Sequence, residues 1–142
     1  MNYHEKAVRD IKVATYYTSA VGNPDNDEGM YDIAAYHAQQ GIEKEIKYIL
    51  HDIFGADETE KRFRVHSIPS LISYVEEYGV VIPDEVKSIA YDVTEWEASS
   101  RYPGGAKTTR DEIQEAIGVF DELAQFVKEK VETMDEIHSK DN

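Results

Sequence analysis

Four side chains between Tyr36 and Lys47 have the types and the spacing to act on one ligand: Gln40, Glu43, Lys44 and Lys47. Tyr36, Gln40, Glu43 and Lys47 recur at steps of four, three and four, which places an amide, an acid and a base in one row along a helix. Such a row can hold an anion or another polar ligand. It can equally be solvated surface on which Glu43 and Lys47 pair at i,i+4 for only ~0.2–0.5 kcal/mol. Gly41 lies in the same stretch, where a helical glycine costs roughly 1 kcal/mol relative to alanine and often marks the close approach of another backbone or of a ligand.

Further along, His66, Arg101 and Tyr102 add a titratable imidazole, a bidentate fork for phosphate and a face for stacking. Each has a structural alternative. His66 can orient the helix that starts at Ser67, and Arg101 can neutralise Glu43 or cap the carbonyls of the preceding helix. Of the 15 Lys and Arg residues, eight (Lys44, Lys47, Lys61, Arg62, Arg64, Arg101, Lys107 and Arg110) lie in or beside these stretches, and packing of those stretches side by side would gather them into a local cationic cleft on an acidic molecule.

The net charge of −14 argues against extended binding along a duplex, because most of the surface repels a polyanion. With no Cys, thiolate metal sites, disulfides and a Cys nucleophile are all ruled out. Asp25 and Asp27 do not make a calcium loop, since Met30 and Tyr36 stand where that loop needs Gly and Glu. Phosphate-loop, nucleophile-elbow and zinc-helix patterns are lacking, and no His pair has a helical ligand spacing, so neither a metal nor a cofactor is expected. The N-terminus lacks a basic region followed by an apolar run, and no apolar stretch approaches the ~20 residues of a membrane span, which makes a soluble cytoplasmic protein without membrane association the expectation.

The elements that must position these residues are all helical. Tyr3, Ala7, Ile11, Ala14 and Tyr17 mark a first helix over about 2–19, and Ala35, Ala38, Ile42, Ile46, Ile49 and Ile53 a second over about 29–54, stopped by Gly55. Ser67 and Pro69 open a third that ends at Gly79, and Pro83 and Asp84 a fourth that runs to about Ser99. Thr109 and Glu112 form a capping box before a long last helix, with Gly118 as a point of close approach and fraying from His138. The charged connection over 56–65 is longer than usual between helices. The expectation is a single all-α domain over 1–142, an up-and-down helical bundle of four to five helices.

Gln39-Gln40, Glu43-Lys44 and Lys47, then His66-Ser67-Ile68, then Arg101-Tyr102-Pro103, come in an order and spacing that resemble the HEPN domain family, the higher eukaryote and prokaryote nucleotide-binding domains. The resemblance covers nearly the whole chain. It implies a nucleotide- or RNA-binding bundle, a homodimer, and a partner such as a minimal nucleotidyltransferase. It assigns a ligand site to Gln40, Glu43, Lys44, Lys47, His66, Arg101 and Tyr102, with RNA or nucleotide held weakly. Many relatives are ribonucleases of toxin–antitoxin systems that carry Arg, four to six residues, then His. Here the corresponding positions after Arg101 are Ala106, Lys107 and Thr108, so catalysis is not expected. Two alternatives remain: a ribonuclease toxin with a non-standard site at His66 or His37, and a protein-interaction bundle without a ligand.

Overall fold

Local signals start most of the helices. The Asn2 side chain accepts the Glu5 amide at 2.8 Å at the head of α1 (Tyr3–Ala20), and Ser67 accepts the Ser70 amide at 3.3 Å before α3 (Ile68–Glu76), with Pro69 in its first turn. Thr109 and Glu112 exchange hydrogen bonds at 3.1 and 3.2 Å, the expected capping box of α5 (Arg110–Lys140). Between them lie α2 (Gly29–Tyr48) and α4 (Asp84–Ser99). The computed structural model describes residues 1–20, 29–99 and 108–140, and within them there is no strand. The helical bundle read from the sequence is the fold observed.

The second helix departs from its expected path near its end. After Tyr48 it widens into a π-helical turn, Ile49–Ile53, in which the Phe54 amide reaches back to the Ile49 carbonyl at 3.1 Å. Within it the adjacent Ile49 and Leu50 are both buried, while Ile53 is only half-buried. His51 donates its Nδ1 hydrogen to the Ala56 carbonyl at 2.9 Å, and Gly55 leaves the turn at φ +73°.

Helix α2 occupies the centre, packed against α1, α3, α4 and α5. Ala38, Ile42, Ile46 and Ile49 are buried together with Leu71, Val93 and Phe120, as their stripes imply, whereas Ile117 sits at the core margin. Gly41 explains why α1 can lie so close: a Cβ there would stand 2.6 Å from Ile11 Cδ1 and 3.4 Å from the Ala7 carbonyl oxygen. The neighbour is a helix rather than a ligand. Gly118 is the opposite case, since nothing lies within 4 Å of its would-be Cβ, and α5 continues to Lys140 through the stretch expected to fray.

Candidate functional site

Because α2 is enclosed from Ala38 onward, the polar row from Gln40 to Lys47 is not solvated surface. Gln39, Gln40, Glu43 and Lys47 are all buried, Glu43 to 3 % exposure. Tyr36, one turn earlier, is the exposed member of the row. Enclosing a carboxylate is expensive unless it is paired and hydrogen-bonded, so its surroundings determine whether it is tolerated.

Glu43 is well supplied. Gln40 Nε2 donates to Gln39 Oε1 at 2.7 Å, and Gln39 Nε2 donates to Glu43 Oε1 at 3.1 Å. His66 Nδ1 meets the same oxygen at 3.0 Å, and Lys47 Nζ stands 3.4 Å from Oε2. With Glu43 as a carboxylate that can only accept, His66 Nδ1 is the donor. The network therefore starts inside α2 and ends at an imidazole whose side chain is 59 % exposed, just before the Ser67 cap. His66 ties the start of α3 to α2 while its side chain stays largely open to solvent.

Lys47 also lies 5.3 Å from the centre of the Phe63 ring, and Phe63 is buried. The connection over 56–65 is thereby pinned across α2, with turns closed by Phe63 and Arg64 amides on the Glu60 carbonyl.

Lys44 belongs to a different cluster. Its ammonium meets Asp10 Oδ2 at 2.6 Å, and His37 Nδ1 meets Asp10 Oδ1 at 2.8 Å, so this trio fastens α2 to α1. Arg62 lies against Glu77 and over the Tyr74 ring, 3.8 Å from its centre, near the end of α3. Lys44, Lys47 and Arg62 thus serve three separate contacts. Arg101, Tyr102 and Lys107 fall outside the described residues. Of the seven sequence-derived site residues, the structure joins Gln40, Glu43, Lys47 and His66 and draws Lys44 away.

Three polar residues were not singled out from the sequence: Asp10, His4 and Glu45. Glu45 is fully buried, and its carboxylate meets His4 Nδ1 at 2.9 and 3.0 Å. A signal existed, because Glu45 stands three residues after Ile42 and four before Ile49, on the flank of the apolar stripe. No group of three or more metal-ligating side chains occurs among the described residues.

No curated protein and no solved structure gives a significant match to this chain. The family model described as HEPN domain matches residues 5–130, a span that takes in α1 to most of α5 and the whole Glu43 network. The chain belongs to the HEPN domain family, and at family level it is a nucleotide- or RNA-related helical module.

Proposed function

We propose that this protein is a nucleotide- or RNA-binding module that acts with a partner, such as a minimal nucleotidyltransferase, and works as a homodimer in the cytoplasm. The observation that carries the reading is the buried Glu43 carboxylate, hydrogen-bonded by Gln39 and His66 and ion-paired with Lys47, which with the Gln40–Gln39 bond holds Gln40, Lys47 and His66 in one place on a family member. A network held this firmly preorganises the groups at its open end. Arg101 and Tyr102 complete the site in this proposal, Arg101 as a fork for phosphate and Tyr102 as a stacking face.

Binding is tested by fluorescence polarisation with labelled ATP, GTP and a short single-stranded RNA. The expected result is weak, salt-sensitive binding that Arg101→Ala lowers, most visibly at low ionic strength. Absence of binding to all three probes at low salt would refute the proposal and favour a protein-interaction bundle. Light scattering checks the dimer, and a monomer of about 16 kDa at micromolar concentration would contradict it.

One observation favours the second reading, a ribonuclease with a non-standard site: Glu43 holds His66 Nδ1, an arrangement that orients an imidazole for proton transfer. Robust RNA cleavage abolished by His66→Ala would establish that reading in place of the first. A positioned acid–base group usually contributes ~10²–10⁴-fold in rate, so the distinction is easily measured.

A further inference from the structure

A second buried acid lies on the side of α2 that faces α1 and α5. Residues 43 and 45 are about 200° apart around the helix, so Glu45 has no part in the Glu43 network. Its side chain is 0 % exposed, and both oxygens share one donor, His4 Nδ1. A carboxylate has about four acceptor sites, and among the described residues Glu45 receives a hydrogen bond from that nitrogen alone. Burial pushes its carboxyl above the usual range, against the lowering effect of the His4 hydrogen bond. A buried polar group this poorly supplied calls for an explanation.

The surroundings offer one. His4, Glu45 and Tyr48 line a cleft of about 430 Å³ closed on its far side by α5. Its apolar wall is made by Ala124, Val127 and Val131, and the exposed Asp121 and Glu132 line it with a single lysine, Lys128. The His4 side chain is 41 % exposed and its ring lies 5.6 Å from that of Tyr48. In the neutral tautomer that donates Nδ1–H to Glu45, His4 Nε2 is an acceptor on the open side of the ring. The cleft is therefore rich in acceptors, net acidic and apolar along one wall. An anion would meet two exposed carboxylates, Asp121 and Glu132, against one lysine, with the Glu45 carboxyl buried behind His4. A neutral apolar molecule would strip water from those acceptors without replacing it.

We infer that this cleft binds a small aliphatic ammonium compound, with His4 Nε2, Asp121 and Glu132 accepting from its N–H groups and Ala124, Val127 and Val131 covering its methylenes. The volume falls within the ~300–1,000 Å³ usual for small-molecule sites. The site is separate from the nucleotide or RNA site proposed above and stands or falls independently of it.

The test is a titration of the isotope-labelled full chain with cadaverine near neutral pH and about 0.15 M salt, where loose counter-ion attraction is screened. The readout is the carbon–proton signal of the His4 ring, with pentanol and pentanoate as neutral and anionic comparators. The expected result is a saturable shift at His4 with cadaverine and no saturable shift with either comparator. Affinity should fall roughly tenfold in Glu45→Gln, the scale of one hydrogen bond to a charged group, and severalfold in the double variant Asp121→Asn, Glu132→Gln. Non-saturating drift, unmoved His4 signals or equal affinity for pentanol would overturn the inference. If Glu45→Gln does not fold, the double variant decides, because it alters two exposed positions only, and unchanged affinity in it would also overturn the inference.

Discussion

Glu43 and Glu45 stand two residues apart on one helix, both shut away from solvent, and their carboxylates are accommodated in different ways. Glu43 receives hydrogen bonds from Gln39 and His66 on one oxygen and pairs with the Lys47 ammonium at the other, partners from its own helix and from just before α3. Glu45 receives one imidazole nitrogen from α1, and burial raises its pKa. The comparison teaches that burial alone does not define a buried acid. The number and charge of its donors separate a structural hub from a group left with unused acceptor sites.

The largest effect expected from this contrast is that of Glu43→Ala. It removes the acceptor of a buried lysine and a buried glutamine together, and breaking a buried pair by removing one partner costs ~3–5 kcal/mol. Equilibrium denaturation measures it, and a loss below about 1 kcal/mol would show that the hub is not the anchor described here.

Next comes Gly41→Ala, on the same side of α2 as Glu45. The new methyl group would collide with Ile11 Cδ1 and Cγ1, at 2.6 and 2.7 Å. Overpacking of this kind costs ~1–3 kcal/mol, offset by ~1 kcal/mol of helix propensity, so a net loss of about 1 kcal/mol is expected. Pairing it with Ile11→Val should recover part of that loss. A stabilised Gly41→Ala variant would mean that α1 is not held against α2 at this distance.

Ser67→Ala tests the arm that brings His66 to Glu43. Loss of the cap on the Ser70 amide should cost ~1 kcal/mol and should weaken ligand binding as well, because His66 precedes the cap directly. Reduced stability with unchanged binding would separate the α3 start from the ligand site.

The smallest change at any single pH belongs to Glu45→Gln, a substitution of nearly equal size. Its signature is a slope. Because the folded-state pKa lies above the unfolded value, the native protein binds more protons between the two, and stability falls as pH rises through that window. The window opens near the ordinary glutamate value of ~4.3. Thermal melts across the window should show the wild type losing stability with rising pH relative to Glu45→Gln. Parallel curves for the two proteins would mean that Glu45 is as well supplied as Glu43.

Much of the architecture was legible in the chain because helix signals are local. Ser67 with Pro69, Thr109 with Glu112, and the spacing of Ala38, Ile42, Ile46 and Ile49 each act within a few residues. Helix type and approximate boundaries follow from such short-range rules. The π-helical turn at Ile49–Ile53 was not legible, since a wider turn and an ordinary one share the same side-chain types.

The chain by itself determined the helices, the family resemblance and the presence of a row of polar residues on α2. Only the tertiary structure decided what that row is. Periodicity reports which residues share a side of a helix and says nothing about how many neighbours surround it. Enclosure by four other helices converts Gln40, Glu43 and Lys47 from a surface row into an interior network, directs Lys44 to Asp10, and leaves Glu45 facing His4 across 41 positions of sequence. Those pairings are long-range, and no local propensity encodes them.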